Sequence, residues 1–134
     1  MIEFDGVVMT IRDGEPGDVA SVVCTWVDSY RDRSMVERVV YEREQRALAN
    51  RMAVTATIKV LCDAVVSRTI YAWACSLGEV LHYVYVVPEL RERGAAQLLL
   101  GHMNLWRDTV ECSHRWTKPN RRFLWNPYTV GVGT

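Results

Sequence analysis

Leu81-His82-Tyr83-Val84-Tyr85-Val86-Val87-Pro88-Glu89-Leu90-Arg91-Glu92-Arg93-Gly94-Ala95-Ala96-Gln97-Leu98-Leu99-Leu100 is the stretch that decides the fold. A run rich in valine and tyrosine favours a strand, and Pro88 stops it because proline cannot donate to a ladder. An arginine-bearing loop follows. From Ala95 the apolar residues Leu98, Leu99, His102, Met103, Leu105 and Trp106 return at helical spacing. The core of the loop is Arg91-x-x-Gly94-x-Ala96. Small residues at a helix start leave backbone N–H groups open, and these donors together with the helix dipole attract a pyrophosphate. Gly94 supplies positive φ and close approach. The spacing alone is a weak signal, and its plain structural alternative is a strand-to-helix connection capped by small residues.

Upstream of this stretch, Val54, Ala56, Ile58, Val60 and Cys62 alternate with Thr55, Thr57, Lys59 and Leu61, the period of a strand with one buried face. Val65–Cys75 and Val80–Val87 are two further β-rich runs joined across Ser76-Leu77-Gly78-Glu79, so residues 54–87 read as an antiparallel meander. Before it stand Val7–Arg12, a first strand ending at Asp13-Gly14, and a helix opened by Pro16 and Asp18. The apolar stripe of that helix is Val19, Val22, Val23, Trp26, Val27 and Tyr30. Ser34 with Glu37 forms a capping box for a second helix from Met35 to Arg51, with its stripe at Val36, Val39, Val40, Ala47 and Leu48. Downstream, a strand is expected over Val110–Thr117, and Pro127, Gly131 and Gly133 break up the tail. The order is strand, two helices, three strands, helix, strand. It predicts a mixed α/β domain spanning residues 1–134, whose mostly antiparallel sheet is flanked by helices, and not a doubly wound fold with strict alternation.

Composition narrows the function. With 16 basic and 16 acidic residues among 134, no global field favours nucleic acid or an anionic membrane. Cys24, Cys62, Cys75 and Cys112 are too widely spaced for a zinc or redox motif, so they read as buried thiols, and no metal site is expected. Glu3 and Asp5 stand where a secretion signal would carry positive charge, and no apolar run reaches the length of a membrane span. The expected location is the reducing cytosol.

A valine-rich strand ending in proline, an arginine loop and a leucine-rich helix together resemble the acetyl-CoA pyrophosphate loop of the Gcn5-related N-acetyltransferases. The resemblance extends to the element order, including Glu15-Pro16-Gly17-Asp18 at the first helix, and so covers most of the chain. It implies an acetyl-CoA co-substrate. The backbone of Val84, Val86 and Val87 would pair with the pantetheine arm, and Arg91, Arg93, Gly94, Ala95 and Ala96 would hold the pyrophosphate. Asn120, with Gly131 and Val132, resembles the family's spacing around its last helix, with Tyr128 near its usual tyrosine. Family members continue into two further strands, so the resemblance also implies that the C-terminal strands are truncated, leaving a sheet edge that a second subunit could cover.

Amine acetylation needs a base for the amine, a polarised thioester carbonyl and an acid for the thiolate. Family analogy points to a carboxylate near the start of the CoA-proximal strand, where Glu79 lies. His82 shares strand parity with Val84 and Val86 and titrates in the useful range. Tyr128 is the candidate acid. Each has a plain alternative as a packing or surface residue, and His102 reads as packing. Residues 114–122, His114-Arg115-Trp116-Thr117-Lys118-Pro119-Asn120-Arg121-Arg122, form a basic and aromatic cluster. It could hold an anionic acceptor or the CoA 3′-phosphate, or be solvated surface; nucleic acid is the least expected partner. Two further functions stand beside an N-acetyltransferase acting on a small-molecule or protein amine. One is a catalytically inactive binding or structural module of the same fold, virion-associated or regulatory. The other is nucleic-acid binding through the 114–122 cluster.

Overall fold

The computed structural model describes residues 2–34, 36–114 and 123–129. Asn120, Arg121, Arg122, Gly131 and Val132, singled out from the sequence, lie outside them. Among the described residues seven strands form one sheet in chain order: β1 (Ile2–Phe4), β2 (Val7–Asp13), β3 (Thr57–Asp63), β4 (Ile70–Leu77), β5 (Val80–Val86), β6 (Glu111–Cys112) and β7 (Leu124–Trp125). The pairs from β1 to β5 are antiparallel, whereas β5–β6 and β6–β7 are parallel. The helices are α1 (Val19–Ser34), α2 (Arg38–Thr55) and α3 (Ala95–His102). No described helix is long and apolar enough to cross a membrane.

The sheet is covered on both faces. On one, Val22, Trp26 and Tyr30 of α1 and Tyr41, Ala49 and Met52 of α2 pack on Val60, Trp73, Cys75 and Tyr83. On the other, Leu99 and Leu100 of α3 pack on Leu61, Ala74, Leu81, Val84 and Val86, with Phe123 and Val110. Consecutive residues such as Val60 and Leu61, or Trp73 and Ala74, therefore sit in opposite cores, all essentially unexposed. The single buried face expected for β3 is corrected to two. At roughly 25 cal/mol per Å² of apolar area, a central strand buried on both faces contributes about twice what a half-exposed one does.

Several expected boundaries move. β1 was not anticipated; it pairs with β2 through Asp5-Gly6, both at positive φ, the geometry a tight hairpin turn needs. The polar stretch after Asp28 continues α1 to Ser34, so Ser34 does not cap α2; Glu37 stands at its N-cap, without a side-chain cap bond. The buried face of α2 is Tyr41, Gln45, Ala49 and Met52, one helical stripe, while Val36, Val39 and Val40 are exposed. The reason is α1: the Tyr41 hydroxyl donates to the Val27 carbonyl, which fixes which side of α2 faces inward. The helix runs on through Thr55, so β3 starts three residues later than its alternating pattern suggests. Of the strand expected over Val110–Thr117, the described part is Glu111–Cys112, residues 115–117 lying outside the described residues, and β7 follows. Cys24 is exposed, whereas Cys62, Cys75 and Cys112 are buried.

One ion pair ties the helical layer to the sheet. Arg12 of β2 donates from Nη1 and Nη2 to the two carboxylate oxygens of Asp18 at 2.7 and 3.0 Å, and its Nη2 also reaches the Ser67 carbonyl at 2.9 Å. The Glu15 amide donates to Asp18 Oδ2 at 2.7 Å. Hydrogen bonding from Arg12 outweighs desolvation and holds the Asp18 carboxyl below its usual range. A carboxyl depressed in the folded state adds stability above its unfolded pKa and loses it as pH falls through the folded value. Asp18→Asn is therefore expected to cost about 1–3 kcal/mol at pH 7, with the gap from wild type closing as acid takes the pH below the ordinary carboxylate range. Urea unfolding at pH 7 and in acid checks this, and an undiminished gap in acid would assign the loss to something other than the ion pair.

Candidate active site

β5 carries the site, and a β-bulge shapes it. Cys75 of β4 faces Tyr83 and Ser76 faces Leu81, so His82 is the extra residue between them. Alternation is thereby reset: Leu81 lies in the α3-side core with Val84 and Val86. At the same point the sheet forks. β6 pairs with Val80 and Leu81, and the Ser113 amide still reaches the Leu81 carbonyl at 3.0 Å. Beyond this no described strand pairs with that edge of β5. The Val87 amide donates to the Tyr71 carbonyl of β4 at 2.9 Å, whereas the Val86 carbonyl accepts from Arg91 Nε at 2.9 Å. Backbone groups alternate sides along a strand, so Val86, and with it Val84, turns its amide and carbonyl toward the open edge.

The open edge leads into the loop. Pro88–Leu90 makes one 3-10 turn, Glu92 and Gly94 take positive φ at 65° and 83°, and α3 begins at Ala95. The first intrahelical bond of α3 is from the Leu98 amide to the Gly94 carbonyl, so the amides of Ala95, Ala96 and Gln97 precede the ladder. They border a cavity of about 270 Å3 whose wall includes Val86, Arg91, Glu92, Gly94 and Trp106. A Cβ built on Gly94 meets no atom within 4 Å, so its φ and not crowding within the chain demands glycine. Arg91 also stands 5.7 Å over the Tyr85 ring, so it braces the loop against β5. Arg93 is paired with Asp5 of the β1–β2 turn.

At the fork, polar side chains continue the site inward. His82 Nδ1 lies 2.9 Å from Ser113 Oγ, which lies 2.9 Å from His114 Nδ1, and Gln45 Nε2 of α2 donates to His114 Nε2 at 3.1 Å. All four residues are buried. His82 Nε2 has no hydrogen-bond partner among the described residues. Burial lowers the pKa of His82, and it pushes that of His114 down to about 3, so both rings are neutral. The ring of His114 is set among Trp26, Tyr30 and Tyr83 at centroid distances of 4.9–5.9 Å. Gln45, Ser113 and His114 also reach a second cavity, of about 280 Å3, beside Tyr41 and Trp125.

The other expected residues are not part of the hydrogen-bond chain at the fork. Glu79 is mostly exposed and bound to Arg107 at 3.1 Å in the turn before β5, about 10 Å along the strand from His82 at ~3.3 Å per residue. Tyr128 follows β7 and is 90% exposed. His102 is exposed and not packed, and His114 is buried and uncharged, so it adds nothing to a basic surface. Gln45 and Ser113 carry no sequence signal, because a buried amide or hydroxyl looks like any surface one until the partner that satisfies it is known.

No family model matches the chain, and no curated protein does. Solved structures do. The chain is 18% identical to YjaB of Escherichia coli, solved in its apo form, at a TM-score of 0.56 over 71% of this chain and 63% of that one. It is 14% identical to a GNAT family acetyltransferase of Brucella melitensis solved with acetyl-CoA, at a TM-score of 0.54 over 85% and 80% of the two chains. A third, a histone acetyltransferase HPA2 and related acetyltransferase of Corynebacterium glutamicum, gives 17% identity and a TM-score of 0.54 over 71% and 69%. The chain thus spans less than two thirds of YjaB. The shared architecture, the bulged strand and the glycine loop define the class: the fold is that of the Gcn5-related N-acetyltransferases.

The buried pair of histidines has a measurable consequence. A histidine whose folded pKa lies below its unfolded value costs stability as pH falls below about 6.5, because the unfolded chain binds the proton first. For His114 this amounts to about 2 kcal/mol between pH 7 and pH 5, at roughly 1.4 kcal/mol per pKa unit; His82 acts in the same direction. Urea unfolding across this range should show the loss, and His114→Asn should remove most of it. A stability independent of pH from 7 to 5 would contradict neutral burial.

Proposed function

We propose that the protein is an acetyl-CoA-dependent N-acetyltransferase acting on an amine. The observation that carries the reading is the continuity of the open β5 edge with the Gly94 loop. Backbone donors and acceptors of Val84 and Val86 face the edge where an amide-bearing pantetheine arm would add as a strand, and that edge ends at the amides of Ala95, Ala96 and Gln97. In this reading Arg91, Arg93 and Gly94 shape the pyrophosphate cradle, with Val87 at its entrance and Asn120 assigned by resemblance. A co-substrate lying along β5 from the loop carries its thioester to the fork, where His82 sits. The acetyl-CoA complex of the Brucella melitensis neighbour supports the choice of co-substrate.

Acyl transfer then follows from the groups at hand. The amine nitrogen attacks the thioester carbonyl, the carbonyl oxygen gains charge, and the C–S bond breaks as the thiolate takes a proton. A neutral His82 serves as the base or as a hydrogen-bond donor to the developing charge, depending on which ring nitrogen holds its proton. Glu79, exposed and paired with Arg107 about 10 Å from His82 at ~3.3 Å per residue, and Tyr128, also exposed, could serve only from the rim. A catalytically inactive binding module is the second reading, favoured by the complete burial of His82.

Acetyl-CoA at 100 times its Kd is expected to stabilise the protein by about 2.7 kcal/mol, a rise in Tm on the order of 10 °C. No shift at millimolar ligand would refute the reading. Thiol release over a panel of amines separates the two alternatives, since a binding module shows the shift in Tm and no turnover. Gly94→Glu is expected to abolish acetyl-CoA binding while the domain stays folded, because a carboxylate would then stand among amides meant for phosphate. Calorimetry and circular dichroism decide it: a folded variant that binds acetyl-CoA with native affinity would remove the pyrophosphate role of residues 91–97.

A further inference from the structure

The hydrogen-bond chain at the fork has a direction. Both imidazoles are neutral and carry one proton each, a serine hydroxyl has one proton to give, and an amide nitrogen only donates. Gln45 Nε2 faces His114 Nε2 at 3.1 Å, so His114 Nε2 accepts and its proton must sit on Nδ1. His114 Nδ1–H then donates to Ser113 Oγ, and the serine proton is left to turn toward His82 Nδ1. His82 Nδ1 therefore accepts, and its own proton is held on Nε2, the atom without a partner among the described residues.

We propose that Gln45, two residues removed along this chain, is a positioning residue that fixes His82 in its Nε2–H form. As placed, His82 presents a hydrogen-bond donor at the fork, suited to a developing oxyanion or a departing thiolate, and not a lone pair that could take a proton from an amine. Turning the Gln45 amide over would set Oε1 against His114 Nε2 and reverse every donor in the chain, leaving a lone pair on His82 Nε2. No group gains or loses a proton between the two arrangements, so the selection is made by the orientation of one side chain on α2. The tautomer follows from these hydrogen bonds with Gln45 as oriented and both rings neutral; its catalytic meaning rests on the acetyltransferase reading.

Long-range nitrogen–proton correlation NMR of the 15N-labelled protein at pH 7.5 reads the ring nitrogens directly, and the chain has only three histidines to assign. In wild type, His82 is expected to show a protonated Nε2 and an unprotonated Nδ1, with His114 the opposite. Gln45→Met removes the directing donor, and His82 should lose its single form, giving averaged signals at both nitrogens; Ser113→Ala should give the same loss by cutting the chain. An unprotonated His82 Nε2 in the wild type overturns the assignment without any variant. A His82 that keeps a pure Nε2–H form in Gln45→Met overturns the role of Gln45. None of these spectra needs CoA, so failure of the acetyl-CoA shift in Tm and failure of this proposal are separate results.

Discussion

The rest of the structure depends on one constraint at β5: its faces are buried between two helical layers, but among the described residues only its first two pair with a strand on the β6 side. A backbone amide or carbonyl left unmatched away from water costs about as much as a lost hydrogen bond, so such an edge must be resolved. The bulge at His82 begins the separation by adding a residue to β5 that β4 does not match. Arg91 resolves part of it by donating to the Val86 carbonyl and lying over Tyr85. What remains is a length of strand edge ending in a helix start, an arrangement that a linear ligand with amides at one end and phosphates at the other would complete.

Behind the fork, polarity is kept without charge. Three hydrogen bonds join His82, Ser113, His114 and Gln45 inside an aromatic setting, where Trp26 stacks on Tyr83 at 5.4 Å and an interplanar angle of 6°. An imidazolium there would lose its hydration with no anion among these partners to replace it, so burial drives both rings neutral. Neutral groups can be buried at modest cost when each finds a partner, and the chain satisfies all but the outermost nitrogen.

Much of the sheet and the loop was legible in the sequence, for identifiable reasons. Pro88 and Gly94 mark backbone requirements that few other residues meet, and the valine and tyrosine spacing before them has no helical alternative. Residues whose role depends on a partner far along the chain were not legible. The inner face of α2 is set by Tyr41 reaching Val27 on α1, so its first-turn valines misled the helical stripe. The extra residue that β5 carries at His82 was not legible either, because a bulge is a relation between β5 and β4 that β5 alone cannot display. His114 was grouped with the arginine-rich segment after it, although its ring is enclosed by α1 and β5 side chains more than thirty residues away in sequence.

The loop before α3 holds left-handed backbone at two places, and only one is glycine. Glu92 at φ 65° bears a strain of roughly 1–2 kcal/mol that Gly94 at φ 83° does not. Nothing in the space around Gly94 forces this path, since the region where its Cβ would stand is open. A strand-to-helix connection serving structure alone could run through ordinary backbone. Left-handed residues within a turn swing successive N–H groups to one side, and such concave sets of amides bind anions. Strain at Glu92, open space at Gly94 and amides of Ala95 to Gln97 ahead of the helical ladder converge on one concavity beside β5. The backbone of this loop is therefore suited to holding an anion as well as to connecting β5 with α3.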